Sequence, residues 1–165
     1  MFNFSVCLIF VTTVALFAGC SDKTIKIFPT DNFTKEAKNK YDSTLAELER
    51  NRRLWSEKNV RNYEFHCEQF QGGIYTFVAV LIKVRDGKPS SFEVVGKDEE
   101  LMRKDDYDKM TSFENMFDFI RQELENGRII DVKYHETGYP TEVRITYSYN
   151  TDSSRLIKIS EFKVE

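Results

Sequence analysis

The sequence lacks most of what marks a metal or cofactor enzyme. It has two histidines, His66 and His135, and only scattered carboxylates, so no metal-ligand spacing is present. It has no glycine-rich phosphate loop, no Gly-x-Ser-x-Gly and no His-Glu-x-x-His. Charge of either sign is barely in excess: 24 Lys and Arg stand against 27 Asp and Glu, a net charge of −3. The charges are well mixed, with neither the basic stripe that nucleic acid requires nor an acidic or basic tail. No nucleic acid, metal or cofactor is therefore expected. Cysteines number three. Cys7 falls within an apolar leader and Cys20 at its end, which leaves Cys67 as the one cysteine of the domain that follows. The fold must therefore stand on its core, and 14 phenylalanines with 41% hydrophobic residues can supply one. A length of 165 residues predicts one domain.

The leader is the most informative stretch. Residues 1–19, MFNFSVCLIFVTTVALFAG, carry no charge. As a helix, the apolar run from Val6 to Ala18 would span about 20 Å against roughly 30 Å of hydrocarbon, a length that suits a signal-peptide core better than a transmembrane span. It ends in Phe17-Ala18-Gly19-Cys20, which resembles the lipobox of bacterial lipoproteins. In that family the cysteine thiol receives diacylglycerol, and cleavage exposes an amine that can be acylated in turn. Small Ala18 and Gly19 suit a narrow peptidase cleft, and Cys20 supplies the nucleophilic sulfur. The leader departs from the pattern in lacking an early Lys or Arg and in placing Phe17 where Leu is commoner. An ordinary cleaved signal and an uncleaved anchor are the alternative readings. The resemblance implies lipidation at Cys20, a mature chain starting there, and a membrane as partner through two or three acyl chains. Ser21 is not the aspartate that favours inner-membrane retention. The implied location is the periplasmic face of the outer membrane in a Gram-negative host, or otherwise the outer face of the plasma membrane. Residues 20–33 then form a tether and 34–165 the domain.

Within the domain, hydrophobic period predicts the elements. From about Thr34 to Asn59, Tyr41, Leu45, Leu48, Arg52 and Trp55 recur at three- and four-residue steps without Gly or Pro. That helix begins either at a capping box, Thr44-Leu45-Ala46-Glu47, or earlier at Asn32. Tyr63, Phe65 and Cys67 alternate with Glu64, His66 and Glu68 as a strand with one apolar face. Thr76 to Arg85 is apolar on both faces and reads as a central strand. Asp86-Gly87 marks a hairpin leading to Phe92–Gly96. Residues 97–110 read as a solvated charged connection with room for one helical turn. Thr111-Ser112-Phe113-Glu114 reads as a capping box. It opens a helix striped by Phe113, Met116, Phe117, Ile120 and Leu124, which stops at Asn126-Gly127. Three more strands follow at Ile129–His135, Glu142–Tyr149 and Leu156–Val164. The last changes apolar phase between Ile159 and Phe162, which a bulge near Ser160-Glu161 would reconcile. The expected fold is α+β: two α-β-β-β units forming antiparallel sheet with helices packed on one face.

The stretch HETGYPTEV, residues 135–143, looks like a site, because it gathers His135, two carboxylates, Gly138, Tyr139 and Pro140. Its position between two strands favours a turn instead. Gly138 admits positive φ, and Pro140 pushes Tyr139 out of the α region. His135, Gly138, Tyr139 and Pro140 are thus expected as surface or turn landmarks rather than catalytic groups. A thiol nucleophile at Cys67 is unsupported, because its neighbour His66 points to the opposite strand face and Cys67 shares the apolar phase of Tyr63 and Phe65. Tyr75, Tyr139, Tyr147 and Tyr149 could enrich a binding face, although Tyr147 and Tyr149 follow the core phase.

A family resemblance rests on Leu54-Trp55 ahead of Tyr63-Glu64-Phe65, Val84-Arg85-Asp86-Gly87-Lys88, Met116-Phe117-Asp118-Phe119-Ile120, Val132-Lys133-Tyr134 and Gly138-Tyr139-Pro140-Thr141. In order and spacing, over about residues 50–165, these resemble the landmarks of the bacterial family called domain of unknown function 6174, common in lipoproteins and secreted proteins. Many members carry Cys-x-Cys where this chain has Cys67-Glu68-Gln69, and an acidic cluster where it has Asp152-Ser153-Ser154. The resemblance brings no activity with it. The expectation is a non-catalytic binding or accessory domain that contacts an envelope protein or polymer. The alternative is an envelope enzyme with an unrecognised site.

Overall fold

The computed structural model describes residues 32–71, 74–95, 107–147 and 154–165, with side chains left aside at 32–34, 71, 74–78 and 108. Two helices and six strands follow in the order α1 (Asn32–Lys58), β1 (Tyr63–Gln71), β2 (Ile74–Arg85), β3 (Lys88–Val95), α2 (Phe113–Glu125), β4 (Ile129–Tyr134), β5 (Pro140–Thr146) and β6 (Ser154–Val164). This is the expected pair of α-β-β-β units in an α+β fold. The strands form one antiparallel sheet in the order β3-β2-β1-β6-β5-β4. Each unit is a three-stranded meander, and the pairing of β1 with β6 joins them. Both helices cover the same face of the sheet. Moving the first unit onto the second in chain order shifts it by three strands and reverses strand direction while keeping the helices on that face. No rotation does this, so the halves agree in element order but not in hand.

Local chemistry accounts for the elements. Asp86 and Gly87 both have positive φ, at 51° and 75°, which matches the type I′ turn preferred between twisted strands. Helix α2 ends in a Schellman motif. Gly127 (φ 75°) donates to Leu124 O at 2.9 Å, and Arg128 donates to Glu123 O at 3.1 Å. In β6, Glu161 takes φ 50° and the pairing with β1 shifts between Glu64 and His66, so the bulge does carry Phe162 back toward the core.

Four expectations need correction. Thr44 lies inside α1, which starts at Asn32, so its capping box is not a helix start. The cap of α2 is Ser112 rather than Thr111: Ser112 Oγ accepts from Asn115 N at 3.1 Å. Asn115 is then the residue that reaches back, to Thr111 Oγ1 at 2.9 Å, and Glu114 is released for another task. The connection before α2 is not wholly solvated, because Tyr107 and Met110 are buried around a short 3₁₀ turn and Tyr107 packs edge-on against Phe92. Residues 97–106 lie outside the described residues. Finally, β2 is an inner strand but not a central one. β1 and β6 hold the middle of the sheet.

The core lies between the helix layer and one sheet face. Leu48 and Trp55 of α1, the whole stripe of α2, and Tyr63, Phe65, Cys67, Val80, Ile82, Val143, Ile145 and Ile157 are buried together. Arg52, placed by period on the core face of α1, instead bridges the helices through Asp118 at 2.7 Å. The opposite sheet face is a mixed ladder of charge, with Lys163 3.5 Å from Glu64 and Lys133 3.2 Å from Glu142.

Candidate functional site: the turn after β4 and the groove beside it

The β4–β5 connection is a tight turn. Gly138 N–H donates to His135 O at 2.9 Å, and His135 N–H donates to Tyr139 O at 2.9 Å. The imidazole of His135 serves the turn itself: its Nδ1 accepts from Thr137 N–H at 3.2 Å and lies 2.9 Å from Thr137 Oγ1. Gly138 has φ 103° and lies against the backbone of α1 at Asn51 and Trp55. The next residue plunges inward. Tyr139 is 7% exposed, stacked on Phe113 at 4.8 Å between ring centroids and tilted against Phe162 at 4.6 Å. His135 remains exposed and stacks on the other face of Tyr139 at 4.7 Å. The four turn landmarks thus divide. Gly138, Tyr139 and Pro140 are buried, and His135 alone faces solvent.

The turn closes an aromatic cluster that sequence reading located only in parts. Trp55 meets Phe113, Tyr63, Tyr139 and Phe162 edge-on at 5.0–5.9 Å. One carboxylate holds it: Glu114 accepts from Trp55 Nε1 at 3.0 Å and from Tyr63 OH at 3.2 Å. The Tyr63 oxygen in turn accepts from the buried Phe113 N–H at 3.0 Å. Burial first, and then Glu114, holds the Tyr63 hydroxyl well above the ordinary tyrosine range. The landmarks that carry the resemblance, Leu54-Trp55, Tyr63-x-Phe65 and Gly138-Tyr139-Pro140, therefore meet in space. Phe113, Glu114 and Phe162 belong with them, although in the sequence they show only as part of a stripe, a cap and a phase change.

Beside the turn, between α1 and β4, runs an open groove of about 330 Å³. Its helix wall is Glu47, Arg50, Asn51 and Leu54, a spacing of three, four and seven that puts them on one side of α1. Its sheet wall is Val132, Lys133 and Tyr134, and it ends at His135 and Glu136. Tyr134 OH is buried under it without a partner. Burial, with Glu47 adding, keeps that hydroxyl protonated well above the usual range. A larger shallow depression of about 540 Å³ lies over α2 at Asn115, Asp118 and Gln122.

The other candidates are dispersed. His66 is on the outer sheet face, 3.7 Å from Glu161, while Cys67 is fully buried in the core. His66 and His135 belong to strands three apart, roughly 14 Å at the usual strand spacing. Among the described residues no three His, Cys, Asp or Glu gather as a metal would require. Cys20, Tyr75 and Tyr149 lie outside the described side chains. Tyr147 packs against the core, with Arg128 5.2 Å over its ring.

Burial pushes the Cys67 thiol up to about 12, with Arg155 opposing and Glu68 adding. A thiol reagent at neutral pH should leave it unmodified in the folded chain, and rapid stoichiometric labelling would contradict this burial. The linkage sign follows from the raised value. Its contribution to stability is complete below the ordinary thiol value of 9.0 and is lost as pH rises toward 12. Tyr63 and Tyr134 are raised in the same direction from 10.0. Urea midpoints should therefore fall progressively from about pH 9 upward. A midpoint flat to pH 11 would contradict it.

Comparison with known proteins adds a family but no activity. No curated protein and no solved structure matches the chain. A family model described as a family of unknown function matches residues 47–164, from the middle of α1 through β6, and so takes in the aromatic cluster, the turn and the groove. With most of its length covered, the chain belongs to the family of unknown function DUF6174.

Proposed function

We propose that this protein is a lipoprotein held to the cell envelope through acylated Cys20, and that its domain acts by binding an envelope protein or polymer rather than by catalysis. The observation that carries the anchor is Phe17-Ala18-Gly19-Cys20 at the end of an uncharged apolar leader. The location that goes with it is the periplasmic face of the outer membrane in a Gram-negative host. From Cys20 to the start of α1, the eleven residues Ser21–Asp31 reach at most roughly 40 Å, which would keep the domain close to the bilayer. The binding reading is supported by the form of the described surface. The depression beside the turn is an open groove with polar walls, and the carboxylate of the neighbouring aromatic cluster, Glu114, is engaged by Trp55 and Tyr63.

The test is metabolic labelling with a fatty acid. The parent chain should incorporate label, and Cys20→Ser should accumulate as unprocessed, unlabelled precursor. Normal labelling of Cys20→Ser would refute the anchor. Co-purification from envelope extracts with the anchor intact tests the binding reading separately.

A further inference from the structure

We infer that the groove between α1 and β4 takes an extended peptide, which adds to β4 as a seventh strand of the sheet. This deepens the binding reading and rests on it. Among the described residues β4 is an edge strand, paired only with β5. The direction of its backbone groups can be read from two bonds. His135 N–H donates to Tyr139 O, and Lys133 O accepts from Thr141 Oγ1 at 3.2 Å, so the odd-numbered residues address β5. By strand alternation the N–H and C=O groups of Val132 and Tyr134 point away from the sheet. Those two residues line the groove. A row of unpaired backbone donors and acceptors beneath a helix wall is satisfied best by another extended main chain, with side-chain pockets supplying selectivity.

The walls indicate what such a peptide carries. Leu54, 37% exposed, stands at the rim as an apolar contact on the helix side. Ile129, 44% exposed, alternates with buried Ile130 and so shows its side chain on the other sheet face, outside the groove. Around Leu54 the charges are of both signs. Arg50 lies 3.6 Å from Glu47, and Lys133 is paired with Glu142, so neither sign is in excess. The chemistry is that of an extended peptide of little net charge with an apolar side chain to set against Leu54. The opposite edge is built differently. β3 has Pro89 at its second position, which lacks an N–H and discourages strand addition; β4 carries charge at Asp131 and Lys133 but no proline or glycine. One clasp does cross the β4 edge, from Lys40 to Asp131 at 2.6 Å. Both side chains are more than half exposed, so it opens at little cost.

The probe is a phage-displayed library of random linear dodecapeptides, panned on the full chain in detergent micelles. Recovered peptides should share an apolar residue and bind Leu54→Asp about tenfold or more weakly than the parent. Bound peptide should slow hydrogen exchange at the N–H groups of Val132 and Tyr134, a readout that needs no variant. Three results would each overturn the inference: no enrichment above display background, equal binding to Leu54→Asp, or unchanged exchange at both amides. A partner that still co-purifies with the lipidated chain under any of these would leave the binding reading standing and remove only the groove.

Discussion

Gly138→Ala should destabilise the chain by about 3 kcal/mol or more, a large share of a typical domain's stability. Two costs combine. At φ 103° an L side chain is strained wherever space allows. Here space does not allow it, because an added Cβ would overlap Asn51 O, come within 2.7 Å of Trp55 N and lie 2.9 Å from Leu54 Cβ. Two of these are backbone atoms and the third is a Cβ, so none can swing aside, and α1 would have to lift off the turn. Pro140→Ala should cost less, about 0.4–1 kcal/mol through the freer unfolded chain plus some lost packing. His135→Ala, exposed and bonded mainly within its own turn, should stay within about 0.5 kcal/mol. Urea midpoints read the order directly. If Gly138→Ala proved no worse than Pro140→Ala, the close seating of the turn on α1 would be wrong.

That cost also shows how far sequence reaches. Gly138 followed by Tyr139-Pro140 announces a turn through local backbone preference, and a turn is what stands there. Local preference does not say what the turn touches. Backbone preference alone would put the penalty at Gly138 at that of a positive φ, on the order of 1 kcal/mol. The approach of α1 at Asn51 and Trp55, roughly 85 residues earlier in the chain, is invisible to it. Tyr139 illustrates the same gap. Beside a histidine it reads as part of an exposed platform, yet it is buried against Phe113 and Trp55, so Tyr139→Ala cannot separate binding from folding. Where period dominates, as in the α2 stripe or the alternation of β1, the faces were legible residue by residue. Where one carboxylate chooses between a cap and a distant indole, as Glu114 does, only the folded chain decides. The groove was hidden for a related reason. Glu47, Arg50, Asn51 and Leu54 look like the solvated side of a helix until β4 is placed beside them.

Trp55→Ala should be the most damaging core truncation, at about 4 kcal/mol. It empties the centre of a cluster touching Tyr63, Phe113, Tyr139 and Phe162, and it strips Glu114 of its 3.0 Å indole donor. Trp55→Phe keeps much of the ring contact and loses the donor, so about 1–2 kcal/mol is expected. The two contributions can be separated by a double-mutant cycle of Trp55→Phe with Glu114→Ala. A carboxylate hydrogen bond predicts coupling of roughly 1 kcal/mol, whereas additivity within about 0.3 kcal/mol would mean that the bond contributes nothing. Tyr63→Phe tests the other arm. It leaves the buried Phe113 N–H without its 3.0 Å acceptor, at about 1–3 kcal/mol. These costs bear on the groove as well as on the fold. Trp55 follows Leu54 on α1, and its contact with Tyr139 seats the turn that ends the groove. Hydrogen exchange in Trp55→Phe should therefore quicken first at His135 and Gly138, whose N–H groups close the turn, and later in β1 and β6. Uniform quickening across all six strands would mean that the cluster supports the whole sheet and gives the turn no particular hold on α1.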